Sequence, residues 1–213
     1  MHIEFLVADS SGACLLNSLL PQVLGINGHA HTWRSHAYKG IGRIPKDLPK
    51  SDPAKRILLD QLPRLLRGYG KTPGIDAVVV LLDADQRNCK GFLDELVALA
   101  ARCRPIPSTM FRLAIEEVEA WYFGDIAAMF GAYPRARRAT IDSYAQDSIC
   151  GTWELLADAI FLGGSAAVKK QGWPLPGQLK YEWAERIGPR MVLERNLSPS
   201  CQKFRNGIRR LVG

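Results

Sequence analysis

The sequence predicts an α/β protein: a mostly parallel sheet with helices on both faces, followed by a helical C-terminal part. Three observations predict it. The unbroken run Ala77-Val78-Val79-Val80-Leu81-Leu82 is β-prone and carries no charge, which suits a strand buried on both faces of a parallel sheet. Strand-like and helix-like periods alternate up to about residue 130, the order that βαβ units produce. Beyond Pro134 the recurring periods are helical.

Taken in order, His2 to Val7 reads as the first strand. Ser10 or Ser11 is the expected cap of a helix in which Leu15, Leu16, Leu19, Leu20, Val23 and Leu24 recur at helical spacing. Pro21 lies inside that run and is expected to end or kink it. Gly25 and Gly28 break the chain. His31 to Tyr38 reads as an exposed second strand leading into the Gly- and cation-rich loop Tyr38 to Pro45. Asp52-Pro53 supplies a cap and a first-turn proline for the next helix. Its apolar face is Ile57, Leu58, Leu62, Leu65 and Leu66, Gly68 closes it, and Pro63 predicts a kink. Ala77 to Leu82 is the central strand. Phe92, Leu93, Leu96, Val97, Ala100 and Cys103 mark a helix that Pro105 and Pro107 stop. Phe111 to Ile115 is the fourth strand, and Glu116 to Trp121 turns into a helix. Further helices are expected over 152–161, 179–187 and 200–211. Residues 1–130 are thus expected to form the core, with 131–213 a helical extension packed on it as one compact unit.

With 213 residues, 47% of them hydrophobic and 23% charged, the chain can bury one good core. No stretch approaches the ~20 apolar residues of a membrane span. The start has no basic region of the kind that opens a signal peptide, so a cytoplasmic location is expected. Five scattered cysteines without a Cys-x-x-Cys pair argue against zinc and against a disulfide framework. The net charge of +7 is unevenly spread. Residues 29–71 carry ten basic and three acidic residues, and 151–213 carry ten and five. Between them, 72–150 carry eight basic and eleven acidic. An acidic centre between basic flanks is the layout expected of a protein that binds a polyanion around a metal site.

Asp83-Ala84-Asp85 follows the central strand directly. In open α/β sheets, ligands bind outside the carboxyl ends of the strands. Asp is also common there as a turn former or helix cap, but two like charges at this spacing are unfavourable without a cation or strong donors nearby. Glu116, Glu117 and Glu119 form a second acidic cluster where the fourth strand ends. On a helix Glu116 and Glu119 would share a face and Glu117 would point elsewhere. Acids in a first helical turn also favour the helix dipole. An all-oxygen set suits Mg²⁺ or Mn²⁺, and two such ions can activate water and stabilise the leaving oxygen of a phosphodiester. Asp83, Asp85 and Glu116 are therefore the candidate catalytic residues, and Asp83, Asp85, Glu116, Glu117 and Glu119 the candidate metal ligands. Lys39, Arg43 and Lys180 are candidate phosphate contacts. The loop at 39–45 has a Gly-x-Gly but no Walker ending, a weak nucleotide signal. No Gly-x-Ser-x-Gly elbow surrounds Ser10 or Ser11. His29 and His31 alternate without a matching acid or Cys and read as exposed strand residues. Trp121, Trp153, Trp173 and Trp183 read as core.

The chain resembles a Toprim domain, the metal-binding fold of topoisomerases, primases and the overcoming-lysogenization-defect nucleases. More closely, it resembles a Toprim-like bacterial family of unknown function, often encoded beside ATPases. The resemblance covers nearly the whole chain. It rests on Tyr38-Lys39-Gly40-Ile41-Gly42-Arg43-Ile44-Pro45, on the run from Leu58 to Gly70, on Asp83-Ala84-Asp85 and on Ala114-Ile115-Glu116-Glu117-Val118-Glu119-Ala120-Trp121. It continues in Gln146 to Glu154 and Asn196-Leu197-Ser198-Pro199-Ser200. Toprim domains usually place a Glu just after the first strand; here Val7-Ala8-Asp9 puts Ala8 there. Asp9 substitutes, or Glu116 to Glu119 suffice, or catalysis is weakened.

The resemblance implies a Mg²⁺- or Mn²⁺-dependent, Toprim-like phosphodiester-cleaving enzyme acting on nucleic acid, DNA or RNA, in phage defence and with an ATPase partner. Ala8 favours an alternative, a non-catalytic subunit that docks on the ATPase. A second alternative is a Mn²⁺-dependent nucleotide-sugar transferase, because Asp-x-Asp after an apolar strand can hold a cation and a diphosphate; the short chain and basic flanks count against it.

Overall fold

The computed structural model describes residues 1–45 and 53–213. Four strands, β1 (His2–Val7), β2 (Thr32–Ala37), β3 (Ala77–Asp83) and β4 (Ser108–Ala114), form one all-parallel sheet in the order β2-β1-β3-β4. Ile3 stands opposite Ala77 on β3 and opposite Trp33 on β2. On the other side of β3, Asp83 stands opposite Ala114. The central place of β3 follows from its sequence: Ala77 to Leu82 are all buried, and only an inner strand covered by helices on both faces can hide so uniform an apolar run.

Helix α1 (Ser10–Leu24) lies on one face, where its leucines share a core with Ile3, Phe5, Val7, Val79 and Leu81. Helices α2 (Leu58–Tyr69) and α3 (Cys89–Ala101) lie on the other, against Leu6, Val78, Val80 and Leu82. The helices therefore follow the alternation of side chains along each strand. Six more follow β4: α4 (Ala120–Phe123), α5 (Ile126–Ala132), α6 (Arg138–Asp142), α7 (Thr152–Ile160), α8 (Gly164–Gln171) and α9 (Leu175–Ile187), then the final helix α10 (Pro199–Val212). Trp121, Trp183, Phe204 and Ile208 join the α1 face, so the C-terminal helices share a core with the sheet.

Two stretches around Asp147 and Ser198 fasten this C-terminal part. Asp147 accepts from the Ser198 hydroxyl (2.7 Å) and from the backbone N–H of Ser200 (2.7 Å). The Trp121 indole donates to Ser200 Oγ (2.9 Å), and the Asn196 amide donates to the Trp121 carbonyl (2.8 Å). Gly124 is required here because a Cβ would collide with the Asn196 side chain. Trp121, Asn196, Ser198 and Ser200 are buried, where an unpaired polar group is costly.

Several elements differ from expectation. Asp9, not Ser10 or Ser11, caps α1. Pro21 does not end that helix: Pro21 and Asn17, whose carbonyl loses its N–H partner, are both exposed, so the freed group is not shut away from solvent. Pro63 likewise lies within α2. The expected cap Asp52 lies outside the described residues; Pro53–Lys55 is a separate 3₁₀ turn and α2 starts at Leu58. The strand ends at Ala114, and helix α4 begins only at Ala120, so the acidic cluster occupies a turn. All five cysteines are free; Cys103 and Cys201 are buried and Cys150 is exposed.

Candidate functional site

The two faces of the sheet define a place for chemistry. β1 leads into α1 on one face, and β3 leads into α3 on the other. Loops diverge between the carboxyl ends of these neighbouring strands, the topological switch point at which open α/β sheets bind ligands. Asp9 follows β1 and Asp83 ends β3. Asp9 Oδ1 accepts from the Gly12 N–H and the Ser11 hydroxyl, both at 2.8 Å. Gly12 keeps the turn tight: a Cβ there would lie 2.6 Å from Val7 Cγ1. Asp83 Oδ1 accepts from the Val118 N–H at 3.0 Å, tying β3 to the acidic turn.

Asp85 and Glu116, two of the three expected catalytic residues, are not brought to this point. The Asp85 N–H donates to the Glu116 carbonyl (2.8 Å) in an isolated bridge. Both residues are left-handed, φ +49° and +57°, a conformation uncommon outside glycine. It breaks the alternation that would have aimed Asp83 and Asp85 alike. Asp85 is exposed and pairs with Arg87 at 2.7 Å. Glu116 turns to α7, where its carboxylate accepts from the N–H groups of Cys150 (3.1 Å), Gly151 (2.8 Å) and Thr152 (3.0 Å), and from the Thr152 hydroxyl. Burial opposes the charge, but these bonds win and hold the Glu116 carboxyl below its ordinary range. All its acceptor capacity is directed at a helix start, not at a cation.

Glu117 and Glu119 converge instead. Glu117 accepts from the Trp153 N–H (3.2 Å) and from Lys180 Nζ (2.8 Å). Glu119 is 1% exposed, and neither of its carboxylate oxygens has a hydrogen-bond partner. Lys180 Nζ, carried in by α9, lies 3.6 Å from Glu119 Oε2. The lysine expected to be an outer phosphate contact is thus a counter-ion among Glu117, Glu119 and Asp83.

Burial is the largest force on these acids. It pushes Glu119 up to about 7, with Lys180 opposing and Glu117 and Asp9 adding repulsion. Burial and the charge of Glu119 raise Asp83 well above the carboxylate range. Burial disfavours the Lys180 ammonium, yet Glu119, Glu117 and Asp83 outweigh it and raise its pKa. The Tyr122 hydroxyl is buried without a partner, and burial followed by Glu119 raises its pKa too. Three carboxylates therefore face one ammonium, and Asp9 adds negative charge beside Asp83 and Glu119. Among the described residues, no three His, Cys, Asp or Glu side chains already form a metal-holding group. The donor chemistry nonetheless fits a hard divalent cation: Asp83 and Glu119 supply oxygens only, and those of Glu119 accept no hydrogen bond.

Around this centre lie two openings. A cleft of about 460 Å³ is lined by Arg43, Arg87, Asn88 and Gly91, where the loop after β2 meets the start of α3. Lys39 is exposed on the same loop but does not line the cleft. The second opening, about 410 Å³, joins Ser10 to Trp173, Gly177 and Tyr181. Trp173 is 81% exposed, against expectation, whereas Trp121 and Trp183 are buried. Its ring lies so close over Gly177 that a Cβ would meet it at 2.8 Å. Ala8 is buried in the apolar cluster of the α2 and α3 face. Position 9, not position 8, therefore carries the carboxylate after β1 into the centre.

A further buried acid lies away from this centre, on β1, and the sequence pattern did not mark it. Glu4 is 4% exposed; a His36 ring nitrogen lies 2.5 Å from one carboxylate oxygen and a His2 ring nitrogen 3.2 Å from the other. The register makes this legible, since Glu4 stands opposite Arg34 and His36 is two residues along β2. His29 and His31 precede the strand and take no part in it. Compared with protein-family models, with curated proteins and with solved structures, the chain matches none.

Proposed function

We propose that this chain is a Toprim-like, divalent-cation-dependent protein that cleaves phosphodiester bonds of nucleic acid, with Asp9, Asp83, Glu117, Glu119 and Lys180 as its reacting centre. One observation carries the reading. Glu119 is a fully buried carboxylate without a hydrogen bond, set among other acids at the switch point of the sheet. Lys180, 3.6 Å away, is shared among several acids and compensates them only in part, and an incompletely compensated buried charge is destabilising. A positive ligand would offset it.

Asp83 and Glu119 would hold the cation, with the charge of Asp9 adding to its attraction. When bound, the cation supplies charge neutralisation at the phosphoryl group and a more acidic water. The protein's own residues do the rest. The Val118 N–H orients Asp83. Lys180 fixes Glu117 and offers positive charge to a phosphoryl oxygen. Arg43, in a cleft that also holds Arg87 and Glu95, suits a flanking phosphate, and the exposed face of Trp173 suits an unpaired base. The nucleotide-sugar transferase reading is supported less, because Asp85 is turned to Arg87 and completes no clamp with Asp83.

The test is cleavage of a single-stranded DNA and a single-stranded RNA oligonucleotide in Mn²⁺. Wild type is expected to cleave at least one, Asp83→Asn neither, and Asp85→Asn to keep most activity. Cleavage that survives Asp83→Asn would reject the centre. Absence of cleavage in wild type, with or without an ATPase partner, would favour the docking-subunit alternative, in which Lys180 alone neutralises the acids.

A further inference from the structure

The outer side of β4 is unpaired: within the described sheet, β3 is its only neighbour. The Ala84 N–H donates to the Ala114 carbonyl, so Ala114 turns its backbone groups toward β3. Backbone direction alternates along a strand. Thr109, Phe111 and Leu113 therefore turn theirs outward, and the Phe111 carbonyl already accepts from Arg112 Nη1 (2.8 Å). Sheet proteins usually protect such an edge.

Here the edge lies in a groove of about 500 Å³ between α3 and α10. Its two walls differ in chemistry. Leu93 of α3, with Phe111 and Leu113, makes an apolar wall. Arg112, with Lys203 and Arg210 of α10, makes a cationic one, and Lys90 adds a further cation on the α3 side. No Asp or Glu lines the groove. Among the described residues, Lys90, Lys203 and Arg210 form none of the ion pairs that occupy other cations such as Arg205 and Arg209. Burial and the nearby Arg210 lower the pKa of Arg112, as expected where cations crowd without counter-charge.

We propose that this groove accepts an extended segment of a partner protein as a fifth strand on β4, and that the segment alternates acidic with apolar residues. An added strand sends successive side chains to opposite faces. Acidic residues would then meet Arg112, Lys203 and Arg210, and apolar ones Leu93, Phe111 and Leu113. A second copy is a poor occupant. β4 reads Ser-Thr-Met-Phe-Arg-Leu-Ala and has no acid, so self-pairing about a twofold axis would set like cations against each other. A polynucleotide would use the cations but neither the backbone edge nor the apolar wall.

The experiment is fluorescence anisotropy with the full chain and a fluorescein-labelled octapeptide alternating Glu and Val. Two control peptides keep its composition, one with the Glu residues in a block and one N-methylated on every residue. The alternating peptide is expected to bind, and both controls to bind much more weakly. Lys203→Glu combined with Arg210→Glu, both at exposed positions, is expected to weaken binding at least about tenfold while thermal unfolding stays unchanged. Three results would overturn the proposal: no binding of the alternating peptide, equal binding of the N-methylated or block peptide, or its displacement from the groove by a tighter-binding oligothymidylate.

Discussion

Glu119 is the residue whose burial the fold by itself explains least. It titrates near 7 in the folded chain and near 4.5 when free. Between those values the folded state holds a proton that the unfolded state has released, so stability falls as pH rises across that window and is level above it. Glu119→Gln removes the titration. Its melting temperature is expected to exceed that of wild type at pH 8, by a stability gain on the order of 3 kcal/mol, with the gap closing by pH 4.5. Thermal unfolding across this pH range checks it; a gap independent of pH would mean that the carboxylate is not under strain. At this scale the sequence was partly informative. An acid at the end of a buried strand marked Asp83, and the density of acids marked 116–119. Which two glutamates converge depends on the left-handed backbone of Glu116, and no side-chain pattern announces that in a non-glycine residue. Lys180 comes from a helix 61 residues further on than Glu119, a long-range partner that sequence spacing does not reveal.

At the scale of elements, Glu116 makes a clear contrast with its neighbours. It serves α7 as a capping side chain would, but from a distant turn, and three backbone N–H groups with one hydroxyl depend on it. Glu116→Ala leaves these donors without their acceptor, the two of Thr152 in a buried position. The expected cost is at least about 3 kcal/mol of stability, read by chemical denaturation, while divalent-cation binding by the folded protein is retained. Loss of cation binding in folded Glu116→Ala would return this residue to the centre. The long periodic elements were legible because burial and periodicity agree in them: β1, β3, α1, α3, α9 and α10 appear where apolar spacing placed them. The short helices α5, α6 and α8 were not, since five to eight residues hold too few turns to show a period. Pro21 misled for a local reason: a proline on the wet side of a helix frees a carbonyl that water can satisfy.

For the whole molecule, the organising fact is the change of helix face between β1 and β3. It opens the carboxyl edge of the sheet at one place, and the chain sends Asp9, Asp83, Glu117, Glu119 and Lys180 there from four separate segments. The α/β alternation was visible in the sequence from the apolar runs alone. The crevice was not, because it depends on strand order, and the strand order 2-1-3-4 is set by packing and handed crossovers rather than by any residue. A ligand that binds only the folded state raises the melting temperature with its concentration. The most direct measurement of the central claim is therefore thermal unfolding at pH 8 over a Mn²⁺ titration. A rise is expected in wild type and in Asp85→Asn, and none in Asp83→Asn. A wild-type melting temperature indifferent to Mn²⁺, or a rise that persists in Asp83→Asn, would contradict it.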